Sequence, residues 1–243
     1  MPMSKLLIKS LLIIVLIYSN QVIACTEDSY EKYFDKFGKH KDKAQCFIIT
    51  NKLINSVYQE LDGGVIYIGE VNGDERSGKG VMVWPSGVYY EGDFEKSRRN
   101  GFGIMIWPNG QHYEGEFQED KRYGYGVMNF SFGAIYKGMW QNEKRNGFGE
   151  MKWPDGFIYK GEWEKGKQNG QGIATWSNGE QYEGKWENGV QKGHGILTSD
   201  VGEILEGTWK GGIVNGKGTY TGTNGKRIEG FWENSTLTPL FHE

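Results

Sequence analysis

The chain has 243 residues, and its 28 lysines and arginines against 31 aspartates and glutamates give a formal net charge of −3 at pH 7. This balance argues against broad electrostatic binding to nucleic acid or to an anionic lipid surface. The sequence is rich in glycine, with 38 residues, and contains 14 tyrosines and 9 tryptophans.

Residues 1–24 have the pattern of a secretory signal peptide. Lys5 and Lys9 are their only charges, and the apolar run from Leu11 to Tyr18 is too short to span a bilayer. A polar stretch follows and ends at the small residue Ala24. We therefore expect an exported protein, periplasmic, bound to the cell envelope or secreted. Cleavage after Ala24 would remove two lysines and no acid, so the mature chain would be more negative.

Cys25 follows the expected cleavage site and has two interpretations. The segment Val22-Ile23-Ala24-Cys25 resembles a degenerate bacterial lipobox, in which Cys25 would be lipidated and would anchor the protein to a membrane. Alternatively, ordinary cleavage leaves Cys25 free to form a disulfide with Cys46, the only other cysteine. The two exclude each other, because lipidation consumes the Cys25 thiol.

The segment 25–64 differs in composition from the rest and predicts two short helices. Tyr30, Tyr33, Phe34 and Phe37 are spaced as on one face of a helix that ends at Gly38. A second pattern runs from about Lys41 to Leu61, with apolar residues roughly one turn apart, and stops at Gly63-Gly64.

From Tyr67 onward the chain repeats every 23 residues, in seven full units and a half unit that fill residues 65–233. Residues 234–243 form a C-terminal tail. Each of the first six units opens with a tyrosine that is followed two positions later by a glycine, and every full unit contains a later Gly-x-Gly. Such a period is typical of stacked supersecondary units. The opening pairs are Tyr67/Gly69, Tyr90/Gly92, Tyr113/Gly115, Tyr136/Gly138, Tyr159/Gly161 and Tyr182/Gly184.

Within one unit, alternation predicts a β-hairpin. Tyr90, Gly92 and Phe94 share one face of a strand, and residues 95–100 are predicted to be a polar loop. A second strand follows from Gly101, and Pro108-Asn109-Gly110 predicts a return turn with glycine in the left-handed conformation. Because a single hairpin is not stable alone, each must bury its aromatic face against its neighbours.

These units resemble the MORN repeat (membrane occupation and recognition nexus). Residues 159–172 and 182–195 match the Tyr-x-Gly-x-Trp, polar loop, Gly-x-Gly pattern almost position for position. The resemblance implies a mainly β fold, an elongated, twisted antiparallel sheet of stacked hairpins. It also implies a scaffold, a dimerisation module or a membrane-associated module.

The second strands carry apolar residues on the face opposite the aromatic one. We expect the two N-terminal helices to cover this predicted patch; alternatively, it is a candidate docking surface for a protein partner or a second copy of the chain. By contrast, the loop pairs beginning at Arg98, Lys121 and Lys144 suggest a solvated edge more than a basic binding rim. The patch consists of Val81, Val83, Phe102, Ile104, Ile106, Tyr125 and Val127.

The sequence offers no catalytic constellation, no metal-ligand spacing and no cofactor motif, because its four histidines are scattered and its Gly-x-Gly pairs lack the context of a phosphate loop. We therefore expect a non-enzymatic scaffold at the cell envelope that binds a protein or membrane surface. The alternative is an envelope glycan-binding module, which would require the rings of the aromatic face to be exposed.

Overall fold

A computed structural model of the chain describes residues 16–18, 21–23 and 56–240, and nearly all their regular structure is β. The chain divides into two compact units, Met1–Arg98 and Arg99–Glu243, each described by itself. The first contains β1 (Leu16–Tyr18), β2 (Gln21–Ile23), β3 (Ser56–Leu61), β4 (Val65–Asn72), β5 (Glu75–Val83) and β6 (Tyr89–Glu95).

The second unit is built from strands of seven and nine residues in alternation, ending in a short strand. Its first strand, β7, begins at the last residue of the first unit. The strands are β7 (Arg98–Ile106), β8 (His112–Gln118), β9 (Lys121–Asn129), β10 (Ile135–Gln141), β11 (Lys144–Lys152), β12 (Ile158–Glu164), β13 (Lys167–Thr175), β14 (Gln181–Glu187), β15 (Val190–Thr198), β16 (Ile204–Lys210), β17 (Ile213–Thr221), β18 (Arg227–Glu233) and β19 (Thr236–Pro239).

Sequence neighbours pair throughout. In the first unit β1 pairs with β2, and β3 to β6 form a run of antiparallel pairs. In the second unit β7 to β19 are antiparallel neighbours without a crossover. The predicted fold class, a mainly β protein of stacked hairpins with a 23-residue period, is confirmed.

Two turns alternate along the sheet. At the return turn, Trp107 N–H donates to the carbonyl of Gln111 at 2.9 Å and Gly110 takes a φ of 84°, as the sequence predicts. At the other turn the predicted polar loop of residues 95–100 is wrong, because β6 continues to Glu95 and β7 begins at Arg98, which leaves a turn of two residues. Lys96 and Ser97 there have φ values of 49° and 64°, which is the twist that suits a tight hairpin.

The helical prediction for the segment before the repeats is wrong for its last residues. Ser56–Leu61 is β3, with Val57 opposite Gly69 and Tyr58 opposite Ile68 on β4, and Asp62–Gly64 is a single 3-10 turn. Pairing with β4 satisfies the backbone of these residues, and their exposure alternates as in a strand. The rest of both predicted helices, together with Cys25 and Cys46, lies outside the described residues.

Candidate docking surface

The repeat tyrosines lie over glycines in adjacent strands. Tyr159 is fully buried, and its hydroxyl donates to the carbonyl of Glu162 at 3.0 Å. Gly161 on β12 stands opposite Gly172 on β13, and a Cβ added to Gly172 would lie 2.3 Å from the Tyr159 Oη. Glycine is therefore required because the ring occupies the space of a side chain. The other five repeat tyrosines, at 67, 90, 113, 136 and 182, are likewise fully buried and bond the carbonyl three residues on.

The glycine that follows each repeat tyrosine is a packing position of the core and not part of a binding surface. A Cβ added to Gly115 or Gly138 would lie 2.5 or 2.4 Å from the Cα of the glycine that faces it on the next strand. At Gly184 the added Cβ would lie 2.5 Å from the Tyr182 Oη. The repeat-defining glycines are therefore restricted by the backbone and ring beside them, and a docking surface must be formed by other residues. All six are buried, namely Gly69, Gly92, Gly115, Gly138, Gly161 and Gly184.

The large ring near the end of the first strand of a repeat packs between two neighbouring hairpins. Trp163 Nε1 donates to the carbonyl of Gly149 at 3.1 Å on the strand before it. The same indole meets Tyr136 and Tyr159 edge to face, with centroid distances of 5.4 and 5.2 Å. In the second unit this alternation of tyrosine and larger ring continues from Phe117 to Trp209.

The tyrosine and tryptophan face is thus the core of the sheet. Burial raises the pKa of the Tyr182 phenol to about 12 and raises the pKa of Tyr113, Tyr136 and Tyr159 further. These rings pack on each other and on glycine, so they are not available to stack on a sugar. The exposure that the glycan-binding hypothesis requires is absent on this face.

The loop arginines are part of the same core. The Arg122 guanidinium lies 4.6 Å from the Trp140 ring centroid, and its Nε donates to the Glu143 carboxylate at 2.8 Å. Arg145 lies 4.3 Å from the Trp163 centroid and donates to the carbonyl of Gly166 at 2.6 Å. These arginines join one hairpin to the next. Of the predicted loop pairs, only the first residues, such as Lys121 and Lys144, lie on the exposed edge.

The opposite face of the second unit carries an exposed row of apolar side chains. Phe102, Tyr125, Met139 and Phe148, which we call the apolar row, lie on β7, β9, β10 and β11 and are 50%, 53%, 40% and 56% exposed. Tyr125 stands opposite Met139 in the register, and Met139 lies over Gly147, next to Phe148. Three adjacent strands therefore present a large apolar side chain at the same level.

The structure divides the patch predicted from the sequence. Phe102 and Tyr125 belong to the apolar row, whereas Ile104, Ile106 and Val127 are only partly exposed. In the first unit, Val81 is fully buried and Val83 is 5% exposed, so neither offers a docking surface. Met139 lies on a first strand and was not among the predicted residues, because the equivalent positions of the other first strands are mostly polar. Phe148 could have been found, because it occupies the middle of the fourth Gly-x-Gly.

Two carboxylates flank the middle of the apolar row. Glu116 on β8 accepts a hydrogen bond from the Tyr125 N–H at 3.0 Å, and Glu162 on β12 accepts one from the Gln171 N–H at 2.9 Å. The facing strands β9 and β13 are bulged at this level, and each carboxylate lies over the left-handed glycine of the bulge, Gly124 or Gly170. The bulge thus fixes the two acids in place.

The family assignment rests on the repeats themselves. A family model described as the MORN repeat matches residues 67–89, 90–112, 113–131, 136–157, 159–181, 182–203 and 206–227, which is more than half of the chain. The chain belongs to the MORN-repeat family. The recognition made from the residues is confirmed, and the six opening tyrosines each lie in a matched repeat. MORN repeats suggest a scaffold or protein-binding role.

Other comparisons add no functional argument for this MORN-repeat chain. No curated protein matches it. It is similar to the TCP domain of Drosophila melanogaster SAS-4 (dCPAP), solved with a proline-rich motif of Ana2 (dSTIL), at 10% identity and a TM-score of 0.43 over 72% of this chain and 88% of that one. The TCP10 domain of Danio rerio CPAP gives 10% identity and a TM-score of 0.45 over 77% and 88%. Scores this low support no inference about this protein.

The described part of the MORN chain contains no group of three or more histidine, cysteine or acidic side chains placed to hold a metal ion. His194 forms an exposed ion pair with Glu206 at 3.1 Å, in which it carries charge only when protonated. In the same residues, no helix combines the length and apolarity needed to cross a membrane.

Proposed function

We propose that this protein is an exported MORN-repeat scaffold that binds a protein partner at the cell envelope through the apolar row. The observation that carries the proposal is the exposure of Tyr125, Met139 and Phe148 on three adjacent strands of a face that is otherwise largely polar. Solvent-exposed apolar side chains in contact with each other favour an interaction site, whereas scattered ones do not.

The fold does not require these side chains to be apolar. Positions equivalent to Tyr125 and Phe148 in the next two repeats are Gln171 and His194, and the hairpins there keep the same register. An aromatic ring at this level does not contribute to core packing, because the core lies on the other face of the sheet. Selection for binding explains the ring, because aromatic residues and methionine are enriched at the centres of protein interfaces.

Photo-crosslinking in the native host tests this function. The chain would carry a photoreactive benzoyl-phenylalanine at position 139 in one version and at position 183, on the polar part of the same face, in the other. We expect a protein adduct from position 139, loss of that adduct on Phe148→Ser, and no adduct from position 183. Equal labelling from both positions, or none from 139, would refute the proposal. An adduct of twice the protein's own mass would identify a second copy as the partner.

Export and anchoring are the second part of the proposal, and they are supported by the pattern of residues 1–24. The intact mass of the protein from its native host, with and without reduction, distinguishes the alternatives at Cys25. A mass increased by acyl chains indicates a membrane-anchored lipoprotein. A mass lower than that of the reduced form by two hydrogen atoms indicates a Cys25–Cys46 disulfide and a soluble exported scaffold. Retention of residues 1–24 would refute export by signal-peptide cleavage.

A further inference from the structure

The carboxylates of Glu116 and Glu162 are held by backbone hydrogen bonds at the bulges. Within the part of the chain that the structure describes, neither forms an ion pair, although each accepts a backbone hydrogen bond at its bulge. Such a hydrogen bond holds the carboxylate but leaves its negative charge uncompensated. Both acids lie at the level of the apolar row, one on each side of Tyr125, Met139 and Phe148.

The first unit shows how the same pair of positions is neutralised elsewhere. Lys79 on β5 stands opposite Asp93 on β6, and the two form an ion pair at 2.6 Å. In the second unit the corresponding facing pairs are Phe102 with Glu116 and Phe148 with Glu162. An aromatic residue has replaced the lysine while the acid has been kept. The residues that face Glu116 and Glu162 across these strands are therefore not cations, and a bound partner can supply one to each acid.

The spacing of the acids limits the shape of that partner. Glu116 and Glu162 lie on β8 and β12, four inter-strand steps apart, or about 19 Å along the sheet. An extended polypeptide advances about 3.3 Å per residue, so it covers this distance in about six residues. Its alternate side chains would face the sheet, with two of them over Tyr125, Met139 and Phe148.

We propose that the partner segment is an extended polypeptide that lies across the strands, with apolar side chains on the row and a basic residue at each end beside Glu116 and Glu162. This inference rests on the proposed function, since it names the class of partner for the same surface. The strands beneath use their backbone groups in the sheet, so recognition is by side chains: burial provides affinity, and the two charges provide specificity and register.

Charge also argues against a second copy in this place. A two-fold axis through Met139 would bring Tyr125 onto the other copy's Phe148, which is favourable. It would also bring each Glu116 to the Glu162 of the other copy, setting like charges against each other. A basic segment relieves this repulsion, whereas a copy of the same face adds to it.

Fluorescence anisotropy with designed peptides provides the test. The probe is a labelled heptapeptide, Lys-Ser-Leu-Ser-Phe-Ser-Lys. Two comparison peptides carry either glutamate in place of both lysines or serine in place of leucine and phenylalanine. We expect the lysine-ended peptide to bind the full mature chain about tenfold more tightly than the glutamate-ended one at low ionic strength, and this preference to shrink as salt screens the pairs.

The matched variants separate charge from structure. In Glu116→Gln with Glu162→Gln, each glutamine oxygen still accepts the backbone hydrogen bond, so the bulges are kept and only the charges are lost. The preference for lysine ends should fall to about onefold there. It should persist in the control Glu183→Gln with Glu229→Gln, where two exposed acids on the same face but far from the row are changed.

The proposal is overturned if the lysine-ended peptide does not bind, if it binds no better than the glutamate-ended peptide, or if the control variant loses the preference equally. Displacement of the peptide by cellohexaose, a linear sugar chain, would also overturn it in favour of a glycan. If position 139 crosslinks to a protein but the peptides show no charge preference, the proposed function stands and the inference of a partner with basic ends is refuted.

Discussion

Gly172→Ala tests the packing of tyrosine on glycine, which we infer to be the main specific interaction of this fold. Gly172 has no positive φ, so alanine fits its backbone without strain. The new Cβ, however, would lie 2.3 Å from the Oη and 2.5 Å from the Cζ of Tyr159. These distances are far shorter than van der Waals contact, so the ring has to move.

The ring has little freedom to move. Trp163 and Trp186 lie against Tyr159 edge to face, at centroid distances of 5.2 and 5.1 Å, and the phenol donates to the Glu162 carbonyl at 3.0 Å. Losing the hydrogen bond costs about 1 kcal/mol. Overpacking adds roughly 1–3 kcal/mol. We therefore expect Gly172→Ala to lower the free energy of unfolding by about 3 kcal/mol.

Gly166→Ala is the matched control, in a turn of the same hairpin. Its φ of 89° favours glycine, but a Cβ there meets nothing within 4 Å. Its cost is the left-handed backbone alone, about 1 kcal/mol. Urea unfolding followed by tryptophan fluorescence and by circular dichroism measures both variants, and coincidence of the two transitions shows whether a single free energy describes them.

A double-mutant cycle identifies the cause. In a Tyr159→Ala background the space over Gly172 is open, so the added methyl should cost less than about 1 kcal/mol, and the two substitutions should be strongly non-additive. Strict additivity would contradict the steric argument. So would a Gly172→Ala variant as stable as Gly166→Ala, because the clash with the Tyr159 ring should cost more than the left-handed backbone of Gly166.

Two further predictions concern the same core. Burial raises the folded-state pKa of Tyr182 to about 12 from an ordinary value near 10, so its contribution to stability is complete below pH 10 and is lost as pH rises toward 12. Between pH 10 and 12, the free energy of unfolding of Tyr182→Phe should therefore fall less steeply with pH than that of the parent protein. Equal slopes would contradict this. Arg122→Ala should destabilise the protein by about 1–2 kcal/mol, more than Glu143→Ala, because the arginine also packs on Trp140 whereas the exposed ion pair contributes little. Equal costs in denaturant unfolding would assign the effect to the ion pair alone.

The fold was predictable because its determinants are local and repeated. A tyrosine, a glycine two residues later and a ring two residues after that occupy one face of a strand, and alternation alone places them together. The turn at Pro108-Asn109-Gly110 was predictable for the same reason, since its chemistry lies within three residues. The left-handed backbone at Lys96 and Ser97 was not, because neither residue type indicates a positive φ.

The errors arise where partners far along the chain decide the outcome. Val57 and Leu61 lie one helical turn apart, but the same residues also alternate, and pairing with β4 selects the strand. In the loops, Arg122 and Arg145 were expected to be solvated edges, because the sequence does not show that a tryptophan 18 residues onward packs beneath each guanidinium.

The contrast between the two faces indicates where function is encoded. On the core face, substitution is restricted because the repeat tyrosines fill the space over glycines and the indoles of Trp140, Trp163, Trp186 and Trp209 donate to the strand before them. On the other face, the middle residue of Gly-x-Gly changes freely, from lysine through three consecutive aromatic rings to glutamine, histidine and lysine. A repeat array gives each unit the same backbone, so a partner can be distinguished only by side chains that the backbone leaves unrestricted. The three rings at Phe102, Tyr125 and Phe148 are such side chains, and under the proposed function we expect variation there to change the partner without changing the fold.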